Sequence, residues 1–187
     1  MRSQKTKKMI INAILLAVGL VLNMVMPAIG LPITPDLPLA MMCIILILNK
    51  NDYKTCLIAG IITGVFTALT TKFPGGQIPN AVDKIVTVNV MFILMKSMFN
   101  IASIKKMAAE KANMIVLGVM LPVGTAISGT VFIYLAKIMV GLPGGATFVA
   151  LFLAAVAPAI VINFIFGLFL YKIISASFSK AGIQKQL

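Results

Sequence analysis

The residues able to do chemistry are few: four Asp and Glu and no His stand against 16 Lys and Arg in 187 residues. Four useful side chains gather in one polar interruption, Phe73-Pro74-Gly75-Gly76-Gln77-Ile78-Pro79-Asn80-Ala81-Val82-Asp83-Lys84. Gln77 and Asn80 bring amides, Asp83 a carboxylate and Lys84 an ammonium. Both signs of charge beside neutral donors and acceptors form the set that holds a small zwitterion. Pro74, Gly75, Gly76 and Pro79 forbid a regular helix and predict a shaped loop that presents these groups. The competing reading is a capped inter-helix turn, with Asn80 or Asp83 near the next N-cap.

Two further charges belong to the same layer. Asp36 follows Thr34-Pro35 at the head of an apolar run, either near the entrance of a cavity or as a helix N-cap. A carboxylate at mid-bilayer costs about 2.5–3.5 kcal/mol on insertion scales, so it needs a partner or a use. Lys137 is enclosed by Val131–Leu135 and Ile138–Val140; it faces a site or snorkels outward. The loop Gly141-Leu142-Pro143-Gly144-Gly145 echoes Pro74-Gly75-Gly76, and Phe73, Phe132, Tyr134, Phe148 and Phe152 lie in that layer.

Other chemistries are excluded. Without His there is no histidine-ligated metal site and no His-based catalytic triad. Cys43 and Cys56 fall at different depths of adjacent spans, which argues against a disulfide or a metal pair. The segment Gly124–Thr130 has the glycine spacing of a phosphate-binding loop, but Thr130 stands where Lys is required, and an apolar span encloses it. The chain is not an ATPase. Asp36, Asp52, Asp83 and Glu110 are its only acids, a thin set for a proton relay.

The elements that position these groups are transmembrane. The composition, 60% hydrophobic and 11% charged, is that of a polytopic membrane protein and not of a soluble domain. Apolar runs predict six spans at about 9–27, 37–49, 55–71, 84–100, 113–140 and 147–174, in a single domain over 1–187. The first run follows Arg2, Lys5, Lys7 and Lys8 as a signal peptide would, but it is long enough to span and no small-residue cleavage site follows. With six spans, 13 of the 16 basic residues fall on the side of the termini; Lys72, Lys84 and Lys137 belong to the other. The positive-inside rule places both termini in the cytoplasm and the Phe73–Lys84 segment outside. The same arrangement accounts for the net charge of +12 without nucleic acid, for which no aromatic-basic motif is present.

The second span is anomalous. Its uninterrupted core, Leu39 to Leu48, reaches only about 15 Å as a helix, half of a ~30 Å hydrocarbon layer. Either the bilayer thins or Ile29–Pro38, with Pro32, Pro35 and Pro38, descends irregularly inside the protein. Small residues four apart mark close helix approaches: Ala13/Ala17, Gly60/Gly64, Gly64/Ala68, Ala150/Ala154 and Ala155/Ala159. Pro122 and Pro158 are expected to bend the fifth and sixth spans, and Asn163 to make an interhelical hydrogen bond.

Thr34-Pro35-Asp36 leading into Met41-Met42, Thr63-Gly64 with Ala68-Leu69-Thr70-Thr71, and Phe73 to Asn80 with Asp83-Lys84 carry a resemblance. The chain resembles the substrate-binding S components of energy-coupling factor (ECF) transporters, and most closely their bacterial tryptophan-transporter family. Length and six-span layout agree over essentially the whole chain; the specific match lies mainly in residues 34–87. The resemblance implies an all-α six-helix bundle in the bacterial plasma membrane, with substrate bound near the outer face. It implies that Ala13 and Ala17 meet a membrane-embedded coupling subunit, and that two cytoplasmic ATPases use the ATP, with no cofactor in this chain. For tryptophan, Asp36 or Asp83 would meet the ammonium, and Lys84 with Gln77 or Asn80 the carboxylate; Lys137 is the remaining candidate. A stand-alone secondary transporter and a structural membrane protein stay open as alternatives. The first needs an ion-coupling site with repeat symmetry; the second needs no outer polar cluster.

Overall fold

The computed structural model describes residues 2–25 and 35–180, with side chains from residue 5 onward. Among these residues the regular structure is helical: α1 (Arg2–Val25), α2 (Leu37–Leu48), α3 (Tyr53–Thr70), α4 (Gln77–Asn100), a short α5 (Ala102–Lys105) and α6 (Ala109–Met139). After a 3-10 turn at Pro143–Gly145, α7 (Phe148–Leu151), a π-helical turn (Phe152–Val156) and α8 (Ala157–Lys180) run on as one apolar rod. Five of these rods are long and apolar enough to cross a membrane: α1, α3, α4, α6 and the Phe148–Lys180 rod.

The sixth, α2, has 12 residues, about 18 Å of helix. Its shortness is resolved by position. Every residue from Leu37 to Ile47 is buried, and α1, α3, α4, α6 and α8 all pack on it. The helix is apolar all round because protein, not lipid, surrounds it. Lipid tails are as apolar as Leu, so what holds α2 centrally is close packing and a few polar ties. Asp36 caps its first turn, the Leu39 amide donating to Asp36 Oδ1 at 3.0 Å. At its far end the Asn49 amide donates to Asn12 Oδ1 of α1 and to the Ile45 carbonyl. Of the descent expected over Ile29–Pro38, residues 29–34 lie outside the described residues.

The expected loop over Phe73–Lys84 needs correction: α4 begins at Gln77, so Gln77, Asn80, Asp83 and Lys84 occupy its first turns. Pro79 does not break this helix because it sits third in it, where an amide has no carbonyl partner and the missing N–H costs nothing. The real turn is Phe73–Gly76, closed by the Gly76 amide on the Phe73 carbonyl at 3.0 Å. Pro74 takes its second position and Gly75 its third at φ 71°, as a type II turn requires.

Glycine then seats α4 on α3. A Cβ on Gly60 would lie 2.5 Å from Val88 Cβ, and one on Gly64 3.0 Å from the Ala81 carbonyl oxygen. These small residues let the two backbones approach, and they pull Lys84 inward. In the last rod, the π-helical turn ends two residues before Pro158, with the Ala157 amide donating to Phe152 O five residues back. The irregularity has an identifiable place and cause.

Candidate functional site

Where α3, α4, α6, the π-helical turn and the start of α2 converge, a cavity of about 90 Å³ opens. Its chemistry centres on Lys84, 1% exposed. Lys84 Nζ lies 2.6 Å from Asp36 Oδ2. It donates to Asp83 Oδ1 and Oδ2 at 2.8 and 3.0 Å, and to Ser128 Oγ at 2.9 Å. Ser128 donates in turn to Asp83 Oδ1 at 2.7 Å. Two helices, α4 and α6, and the N-cap of α2 therefore share one buried ion cluster. Asp83 is fully enclosed, whereas the Asp36 side chain keeps 21% of its surface exposed.

Local sequence explains why these groups meet. In α4, Asn80, Asp83, Lys84 and Thr87 stand at i, i+3, i+4 and i+7, one polar stripe on an otherwise apolar helix. Asp83 and Lys84 lie about 10 Å along the axis from Gln77, well inside the bundle. In α3 the matching stripe is Thr63, Thr67 and Thr70, beside Gly60 and Gly64. In α6 it is Thr125, Ser128 and Phe132. An isolated buried ammonium would be prohibitive, and two carboxylates with a hydroxyl make it tenable.

The walls divide by chemistry. Leu39, Phe73, Phe132, Ile133, Val156 and Ala159 form an apolar side, on which Phe73 and Phe132 pack edge to face at 5.3 Å. The rest of the lining is mostly polar: Asn23, Thr67, Thr70, Thr71, Lys72, Asn80, Thr125 and Ser128 with the ion cluster. An apolar slot beside a few converging polar groups is the usual form of a small-molecule site.

The structure thus brings together Asp36, Asn80, Asp83 and Lys84. Asn80 lines the cavity while its amide donates to the Gly76 carbonyl at 2.9 Å. Gln77 and Lys137 are exposed and lie outside the cavity lining. Lys84 is nearer to Asp36 and Asp83 than a role as carboxylate receptor anticipates: its three ammonium hydrogens are matched by Asp36, Asp83 and Ser128. Asp36 fills both roles considered for it, as N-cap and as cavity wall.

Ser128, Thr125, Thr67, Thr70 and Asn23 line the cavity, and sequence reasoning did not single them out as candidates. The signal was present as hydroxyls at helical spacing inside apolar spans. Asn163 does make an interhelical bond, its amide donating to Thr125 Oγ1 at 3.1 Å. Ala13 and Ala17 are exposed on α1, so neither is consumed by packing within the chain.

The family model described as "Tryptophan transporter TrpP" matches residues 5–179. A probable tryptophan transport protein of Clostridium perfringens is 44% identical over 178 residues, 95% of this chain and 96% of that one. Its counterpart in Clostridium acetobutylicum is 44% identical over 171 residues, covering 91% and 93%. That of Bacillus subtilis is 36% identical over 181 residues, covering 97% and 98%. No solved structure matches the chain. With a family model spanning nearly its whole length, the chain belongs to the tryptophan transporter TrpP family.

Proposed function

We propose that this protein takes up tryptophan across the bacterial cell membrane as the substrate-binding subunit of an energy-coupling factor transporter. The observation that carries this reading is the half-apolar cavity around the Asp36–Lys84–Asp83 cluster, in a chain of the tryptophan transporter family. The apolar wall with Phe73 and Phe132 suits an indole, and the ionic wall suits an amino-acid backbone. The chain is not an enzyme; binding and delivery are its work.

In this reading both termini are cytoplasmic and the cavity opens outward. The concentration of basic residues on the terminal side supports the orientation. Energy comes from a membrane-embedded coupling subunit and two cytoplasmic ATPases. The exposed Ala13 and Ala17, four apart on α1 among exposed Met9, Ile10, Ile14 and Val18, support a docking face for the coupling subunit. Small residues there permit close helix approach.

The test is uptake of radiolabelled tryptophan into cells expressing this chain with and without a coupling subunit and its ATPases. Uptake that requires the partners fits the reading. Equal, ion-gradient-driven uptake by the chain alone in proteoliposomes would make it a secondary transporter instead.

A further inference from the structure

Four hydroxyl hydrogens on the cavity wall are already committed. Thr67 Oγ1 donates to the Thr63 carbonyl, Thr70 Oγ1 to the Phe66 carbonyl and Thr125 Oγ1 to the Leu121 carbonyl, at 2.8–3.0 Å. Ser128 donates to Asp83. A hydroxyl owns one hydrogen and two lone pairs, so toward a ligand each of these groups can offer only a lone pair. Lys84 is also spent on Asp36, Asp83 and Ser128. Two carboxylates share this one ammonium, which leaves the cluster formally one negative charge in excess. The other donors in the lining are on Asn23 of α1, whose amide gives one hydrogen to Thr70 Oγ1 at 2.7 Å, and on Thr71, Lys72 and Asn80, between the end of α3 and the first turns of α4.

Resting on the reading that this cavity takes tryptophan, we propose that it is an ammonium receptor first. The amine of an indole-ethylamine is the group the interior requires, with Asp36 as its principal partner, and the carboxylate is held more weakly at the rim. Asp36 is the acid a ligand can reach, because Asp83 is sealed behind Lys84 and Ser128. Lys84 is then a positioning residue, which sets the two carboxylates and does not receive the ligand's own. The specificity follows from unmatched groups. An acid without an amine would bring only acceptors to the Thr67, Thr70, Thr125 and Ser128 hydroxyls, which have no hydrogen left to give, and a carboxylate to the buried cluster with its excess negative charge.

The experiment is competition against radiolabelled tryptophan on the purified chain, with tryptamine (amine, no carboxylate) and indole-3-propionate (carboxylate, no amine), together with direct binding of labelled tryptamine. The expected result is that tryptamine competes at least tenfold better than indole-3-propionate. Asp36→Asn should weaken tryptophan and tryptamine at least tenfold and leave indole-3-propionate unchanged or improved; Asn keeps a side-chain oxygen for the Leu39 amide, so the cap survives. A preference under tenfold, or unchanged tryptamine affinity in Asp36→Asn, overturns the proposal while tryptophan binding by the parent chain leaves the transport reading standing. Tryptamine binding without tryptophan binding overturns the transport reading alone. Binding of neither overturns both.

Discussion

Lys84→Met removes the buried cation from a cluster in which two carboxylates are built around it. In the parent chain Lys84 Nζ sits 2.6 Å from Asp36 Oδ2 and 2.8 Å from Asp83 Oδ1. Met fills a similar volume, so packing is largely kept and the loss is electrostatic. Asp83, fully buried, is left with the Ser128 hydroxyl and an uncompensated like charge facing it. Breaking a buried ion pair by removing one partner costs about 3–5 kcal/mol. At about 1.4 kcal/mol per tenfold, this lowers the folding equilibrium constant roughly a hundred- to a few-thousand-fold. Replacing the whole set behaves differently. Asp36→Asn/Asp83→Asn/Lys84→Met has no buried charge to strand, and it should recover to within about 1–2 kcal/mol of the parent. The assay is unfolding of the purified chain in detergent micelles, followed by far-ultraviolet circular dichroism against heat and denaturant. A Lys84→Met chain that unfolds together with the parent refutes the reasoning, as does a triple variant no more stable than the single one.

Three more outcomes follow from particular positions. Ala13→Leu and Ala17→Leu, on an exposed face, should leave tryptophan binding by the isolated chain intact and lower partner-dependent uptake, whereas loss of binding would make the pair internal packing. Cysteine at the exposed Gln77 should react with an impermeant thiol reagent from outside intact cells and cysteine at the exposed Asn51 should not; the reverse pattern inverts the orientation. Asp52 caps α3, and hydrogen bonds from the Thr55 hydroxyl and amide hold its carboxyl below the usual range. Because the folded value is the lower one, this stabilisation is complete above the ordinary carboxylate value of about 3.9 and lost as pH falls through the folded value. The stability gap between the parent and Asp52→Asn should therefore shrink as pH falls from about 6 to about 3, and a gap that widens contradicts it.

How far the sequence can be read differs by element. Hydropathy alone locates the long spans, because a bilayer demands about twenty apolar residues whatever the fold. It also shows α2 to be too short, but not that five other helices bury it, since that follows from tertiary packing. The head of α4 is obscured by Pro79, whose effect depends on its position in the helix: harmless in the first turn, disruptive later. Read at helical period, Asn80, Asp83, Lys84 and Thr87 fall on one inward face. The Asp36–Lys84 contact and Ser128, 45 positions from Asp83, cannot be paired from spacing, because nothing local specifies which spans touch. The glycines of Gly124–Thr130, spaced as in a phosphate loop, instead seat α6 close to its neighbours: a Cβ on Gly124 would lie 3.1 Å from Met91 Sδ.

The most direct test of a tryptophan site in this cavity is titration of tryptophan onto the purified chain in lipid nanodiscs, beside an Ala159→Phe variant that fills the cavity from its apolar wall. Saturable one-to-one binding by the parent chain is predicted, weakened at least a hundredfold, about 2.7 kcal/mol, in a variant that keeps the parent's thermal transition. Equal affinity in the two would place the tryptophan site elsewhere in the chain.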